Sequence, residues 1–177
     1  MDEITIKERQ SYVSSEGRKY EEWLIEELKK DEVIAQNFLV GKPLEVLDEN
    51  NREKIKISYG EKKEEIDADV CIVRKKDNKL VMVISVKKSF RERGAQTAYW
   101  ALKVKQSCKD YLYILVTPDV DKELYDENNP TKKNKWRIIL PYECDAVFIC
   151  TEGKKCKDKN FYVGTEYLIE FIRNLKD

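Results

Sequence analysis

The sequence contains no histidine. That absence excludes catalytic triads built on His, His-ligated metal hydrolases and nucleases with a histidine base. Any hydrolysis must run on carboxylates, Lys, Tyr, Cys or a metal held by oxygen. Net charge is missing too, because 34 Lys and Arg balance 34 Asp and Glu. Overall charge therefore says nothing about partners, and local clusters must carry any nucleic-acid argument. The five cysteines, Cys71, Cys108, Cys144, Cys150 and Cys156, include no CxxC pair. The even spacing of the last three fits no zinc signature. They read as buried or incidental thiols of a reducing cytoplasm. No apolar run approaches the ~20 residues of a membrane span. The polar, acidic start MDEITIKERQ does not read as a signal peptide. Repeats and low-complexity linkers are lacking as well.

What is present points to a folded core. Hydrophobic residues make up 41% and charged residues 38% of 177. A length of that order predicts one domain over residues 1–177. Lys and Glu dominate the charges and Gln is scarce, a balance that leans toward a thermophile. A helix is expected from about Glu16 to Lys30, capped by Ser14 or Ser15. "KIKISYG" (54–60) reads as a strand. "EEIDADVCIVRKKDNKLVMVISVKKS" holds two β-rich runs around Asp77-Asn78, a hairpin signal. A helix should follow from about Phe90 to Gln106. "YLYILVTPD" (111–119) is an apolar run bounded by Pro and reads as a buried central strand. Residues 121–135 are a polar loop or short helix. "WRIILP" and "AVFICTE" read as two more strands, and "TEYLIEFIRNL" as a closing amphipathic helix. The order gives an α/β fold, a central mixed β-sheet flanked by helices.

The hairpin is where chemistry concentrates. Asp67 and Asp69 open its first arm, and Ser85 and Lys87 close its second. Ser85 and Lys87 share a face, being two apart. Asp69 joins them only in the right register. A two-residue turn at Asp77-Asn78 pairs 69 with 86 and puts the aspartate on the wrong face. A three-residue loop or a β-bulge repairs it. Phosphodiester hydrolysis needs an activated water and a sink for negative charge. Asp69 suits Mg²⁺, which takes oxygen ligands and keeps its waters. Lys87 suits activation of that water or stabilisation of the pentavalent phosphorus. A second carboxylate would complete the metal site.

Asp69-Val-Cys-Ile, a hairpin, then Ser85-Val-Lys87 resembles the core of the PD-(D/E)XK nuclease superfamily. Ala68 stands where that pattern has Pro, and Ser85 where it has the acid before "xK". "SVKKSFRER…Q" is similar to a "KTSLRER…Q" stretch of some type II restriction endonucleases. Members reading CCGG-containing sites carry Ser in the acidic position and draw a Glu from the following helix. The resemblance, over about residues 15–120, implies a restriction-endonuclease-like core. It further implies a Mg²⁺-dependent type II endodeoxyribonuclease that cuts a short palindrome in double-stranded DNA. In that reading Asp69 binds metal, Lys87 handles water and Ser85 marks the vacant acid position.

Two glutamates compete for the missing carboxylate. Glu92 lies just after Lys87, yet Ser89 and Glu92 also form a capping box, S-x-x-E. Gln96 sits one turn further, placed to touch DNA or a metal-bound water. Glu21 shares an apolar helical stripe with Leu24, Ile25 and Leu28, where a carboxylate is costly without a partner. Its segment "EGRKYEEWLIEEL" resembles the "G..(F/Y)E" helix that supplies a metal-facing Glu in many such nucleases. A surface Lys or Arg partner for Glu21 is the plainer alternative. Asp67 is a second choice for the metal Asp, and Glu65 a further acid of the same parity. Pro118-Asp119 is a literal "PD", and Asp145 with Glu152-Gly-Lys154 a literal D…ExK. Neither has the hairpin between its parts, so they read as a strand end and a charged turn.

Three basic clusters support a DNA partner: Lys87, Lys88, Arg91 and Arg93; Lys132, Lys133, Lys135 and Arg137; and Lys154, Lys155, Lys157 and Lys159. The first stands at a helix start, where phosphate is favoured by the dipole. Palindromic sites present two symmetric halves, so a homodimer is expected. A structure-selective repair or junction nuclease, and a decayed DNA-binding protein, remain alternative readings.

Overall fold

The computed structural model describes the backbone of residues 6–90, 93–151 and 155–176, and the side chains of these residues from 17 onward. Helix α1 (Ile6–Lys30) runs into α2 (Glu32–Asn37) and edge strand β1 (Phe38–Gly41). Two short helices follow, α3 (Pro43–Val46) and α4 (Glu49–Lys54). A small separate ladder comes next, β2 (Lys56–Tyr59) with β3 (Lys62–Glu65). Then come β4 (Val70–Arg74), β5 (Lys79–Val86), α5 (Gly94–Gln106) and β6 (Leu112–Thr117). The chain ends with α6 (Lys135–Glu143), β7 (Ala146–Ile149), β8 (Cys156–Asp158), β9 (Phe161–Val163) and α7 (Thr165–Arg173).

Seven strands form one mixed sheet in the order β1-β4-β5-β6-β7-β9-β8. β5, β6, β7 and β9 run parallel; β1, β4 and β8 join antiparallel to their neighbours. The central β6 is the apolar run "LYILVT", and all but its first residue are buried. Such continuity follows from helices covering both faces, which leaves no wet side to alternate toward. One face packs Leu24, Ile25 and Leu28 of α1 and Leu168 and Ile172 of α7 against Val70, Ile72, Ile84 and Ile114. The other packs Ala101 and Val104 of α5 and Leu140 of α6 against Cys71, Val83 and Leu115.

Several expectations are corrected. α1 extends upstream to Ile6, so Ser14 and Ser15 lie inside it and neither is its N-cap. The described helix after the hairpin opens at Gly94 with Arg93 at its N-cap position, so Ser89 does not cap it. The other half of that capping box, Glu92, lies outside the described residues. "WRIILP" is the helix α6, not a strand. Arg137, Leu140 and Cys144 are its buried residues and C-cap, a helical spacing, while Ile138 faces out. That stripe outweighs three β-like residues in a row. "KIKISYG" does contain a strand, but in the small ladder rather than the main sheet.

The hairpin register follows from two irregularities that act together. Arg74 pairs with Lys79 across a loop of residues 75–78, with Asn78 in the left-handed region at φ 51°. Continued without change, that register would set Asp69 opposite Ile84. Between Ile72 and Val73 the ladder shifts: Val73 pairs with Leu80, Ile72 with Met82. Val81 is the extra residue of a β-bulge. Beyond it Val70 pairs with Ile84, and the Asp69 N–H donates to the Ile84 carbonyl at 3.1 Å. Asp69 therefore stands on the Ser85 and Lys87 side.

Candidate active site

At the end of β4 and β5 the two arms bring their charged residues together. Lys87 Nζ lies 2.8 Å from Asp67 Oδ2 and 3.0 Å from Asp69 Oδ2. It also donates to the Val86 carbonyl at 3.0 Å. The Lys87 side chain is 6% exposed, and those of Asp67 and Asp69 about a fifth. A buried ammonium is held there only because two carboxylates compensate it. Asp69 Oδ2 additionally accepts the Val86 N–H at 2.6 Å, so this carboxylate closes the last step of the ladder. The Lys87 N–H donates to Val116 on the neighbouring strand at 3.2 Å, which fixes the backbone behind the ammonium.

These groups line a cleft of about 500 Å³ together with Gly17, Tyr20, Glu21, Lys88, Arg93, Gln96 and Val120. Glu21 comes from α1, on the far side of the cleft from α5. Burial raises the Glu21 carboxyl above the usual range, and the nearby Asp69 charge raises it further; Lys42 and Lys87 pull it back. Gly17, Tyr20 and Glu21 are the three positions of the "G..(F/Y)E" pattern, and all three face this cleft. A second groove of about 350 Å³ shares Glu21 and Asp69 and adds Lys42, Arg52, Glu65 and Ala68.

Ser85 is fully buried and lies behind the cleft rather than in its wall. No acid takes its place on β5. Among the described residues no three acidic or thiol side chains converge as a metal cage. The donor set still fits Mg²⁺, which typically takes one or two protein carboxylates and completes its shell with water and substrate phosphate. Asp69 and Glu21 are two carboxylates that could hold such an ion, and the Asp69 charge contributes to raising the Glu21 carboxyl.

Of the other sequence candidates, Lys88, Arg93 and Gln96 reach the cleft. Arg91 and Glu92 lie outside the described residues, as do Glu152 and Lys154. Lys87 is buried and paired with Asp67 and Asp69, so it is no surface cation. Arg137 is also buried; its guanidinium lies 3.0 Å from the Phe161 ring centroid and beside Asp158, so the second basic cluster loses its arginine as a surface contact. Lys155 pairs with Glu166. Asp145, just before β7, accepts the Tyr113 N–H at 2.7 Å, a structural task. Asp67 ranks second on sequence grounds, yet it makes the shorter contact to Lys87. Its signal is the strand parity that 67 and 69 share. Tyr20 is the aromatic position of the "G..(F/Y)E" pattern, whereas Val120 carries no signal beyond standing next to Asp119.

Residues 46–171 match the family model described as BsaWI restriction endonuclease type 2. A chain assigned as type II restriction enzyme MjaVIP of Methanocaldococcus jannaschii is 32% identical over 97% of this chain and 93% of that one. A chain assigned as type II restriction enzyme HpyAORF263P of Helicobacter pylori is 32% identical over 73% of this chain and 71% of its own length. Among solved structures, the pre-specific BsaWI–DNA complex superposes with a TM-score of 0.60 at 14% identity, covering 96% of this chain. The chain spans 64% of that longer protein, and at such low identity the likeness speaks for the fold. With the family model covering most of its length and two relatives at 32% identity, the chain belongs to the BsaWI-type family of type II restriction endonucleases.

Proposed function

We propose that residues 1–177 act as one Mg²⁺-dependent endodeoxyribonuclease domain that cuts double-stranded DNA at a short palindromic site in the cytoplasm. One observation carries this reading. A nearly buried Lys87 ammonium is shared by Asp67 and Asp69 at the mouth of a cleft edged by Lys88, Arg93 and Gln96. Asp69 and Glu21 would hold the ion, with Glu92 the competing carboxylate. When bound, the ion supplies a Lewis acid and an acidified water. The protein's own groups do the rest. Asp67 and Asp69 anchor the Lys87 ammonium at the cleft wall, where it opposes the charge that builds on phosphorus oxygens. Arg93, exposed at the start of α5, and Lys88 offer phosphate contacts that position the strand. Gln96 lies within the same wall for a polar contact to DNA.

BsaWI is solved with DNA, which supports a DNA substrate here. A palindrome is read by two symmetric half-sites, so the chain is expected to work as a homodimer. The test is digestion of a sequenced DNA with Mg²⁺. A discrete set of bands supports a restriction enzyme. A smear or cutting confined to branched DNA would favour the structure-selective alternative, and intact DNA that is nevertheless bound would favour a decayed site.

A further inference from the structure

The loop after β6 is built around a carboxylate that the nuclease chemistry does not use. Asp119 is 5% exposed and has φ 50°. Its N–H donates to Thr117 Oγ1 at 2.8 Å. Its carboxylate accepts the N–H groups of Glu123 at 3.1 Å, Leu124 at 3.1 Å and Tyr125 at 2.8 Å. The segment thus closes on itself around one side chain, much as an Asx turn does on a larger scale. Burial nevertheless pushes the Asp119 carboxyl up to about 6, against the pull of those N–H donors.

From this closed loop two bonds reach the backbone just past Lys87. The Val120 N–H donates to the Lys88 carbonyl at 3.3 Å. The Phe90 N–H donates to Asp121 Oδ2 at 2.8 Å, and Phe90 is fully buried. The Phe90 carbonyl in turn accepts the Gly94 N–H at 3.3 Å, at the first residue of α5. Val120 itself forms part of the cleft wall.

We infer that Asp119 and Asp121 are positioning residues of the nuclease site: the loop closed on Asp119 grips residues 88–90 through Asp121 and Val120, and so fixes where Lys87 and the start of α5 stand. This rests on the function proposed above. Neither aspartate touches the substrate. They act through the Lys88–Phe90 backbone, which lies between the Lys87 ammonium on one side and Arg93 and Gln96 on the other. The literal Pro118-Asp119 motif is thereby given a role that is not metal binding.

The experiment compares Asp121→Ala with Asp121→Asn in the full chain, reading amide hydrogen exchange at Phe90 and Mg²⁺-dependent cleavage of the same DNA. Asp121→Ala is expected to speed Phe90 exchange and to lower kcat at least about tenfold, with KM changed by about twofold or less. Asp121→Asn keeps a carbonyl that accepts the same bond and is expected to restore both. Should the alanine variant not accumulate as folded protein, Asp121→Ser, too short to reach Phe90, replaces it in the comparison. Unchanged Phe90 exchange, a wild-type kcat in the alanine variant, or an asparagine variant no better than alanine would each overturn the inference alone. Wild-type protein that leaves DNA uncut with Mg²⁺ would overturn the proposed function and this role with it.

Discussion

Asp69 and Lys87, 18 positions apart, meet at 3.0 Å because Val81 is an extra residue in one arm of the hairpin that joins them. Without the bulge the aspartate would face the opposite side of the sheet. This contact at the candidate site is therefore a consequence of strand register, decided well away from the cleft.

The same dependence on position extends to Glu21. It stands on α1, across from Asp69, whose charge helps raise its carboxyl. Glu21→Gln is expected to raise the Mg²⁺ concentration needed for half-maximal cutting by about tenfold, as loss of a metal-site carboxylate or its support does. Glu92→Gln is expected to leave it nearly unchanged. Titrating Mg²⁺ against cleavage rate for both variants checks this, and the reverse ranking would give the role to Glu92.

Gly94 governs how α5 seats against α6. A Cβ at this position would collide with the Trp136 ring. Replacing a helical glycine by alanine ordinarily stabilises by up to about 1 kcal/mol. Here Gly94→Ala is expected to destabilise by roughly 1–3 kcal/mol, because the ring or the helix must move. Denaturant unfolding measures the sign. Pairing with Trp136→Ala should recover most of the loss if the ring is the obstacle, a coupling that a double-mutant cycle isolates.

Asp31 ties the start of α2 to the C-terminal helix. It caps α2 by accepting the Ile34 N–H at 3.0 Å and is paired with Arg173. Hydrogen bonding from Arg173 is the main reason its carboxyl lies below the usual 3.8. A depressed carboxyl stabilises the fold fully above its unfolded value, and the benefit is lost as pH falls through the folded value. Asp31→Asn keeps a capping oxygen and removes the charge. Its melting temperature should fall below wild type by a constant margin above about pH 5, and the gap should close well below pH 4. A gap that persists in strong acid would assign the effect to the cap instead.

Much of this architecture is legible in the amino-acid sequence. The hairpin, the central strand 111–119 and the closing helix all carry local signals that tertiary context reinforces. Asp69, Lys87 and Glu21 are readable because each breaks its local pattern: charge at strand ends, a carboxylate on an apolar stripe. What stays hidden depends on distant partners. α6 reads as a strand until Arg137 is seen to be buried against Phe161. A three-residue loop and a bulge would satisfy the same demand on register, so the residues alone do not choose between them; the protein has the bulge, at Val81. The bonds from Asp119 and Asp121 to the backbone link residues whose sequence separation gives no hint of contact. Ser85 keeps its motif position but is packed inside the sheet.

Asp69 and Lys87 are proposed to form the reaction centre. Single-turnover cleavage with Mg²⁺, beside DNA binding with Ca²⁺, tests it on Asp69→Asn and Lys87→Met. Both variants are expected to bind DNA within a few-fold of wild type and to cut at least about 100-fold more slowly. Cutting at the wild-type rate by either variant, with binding intact, would contradict it.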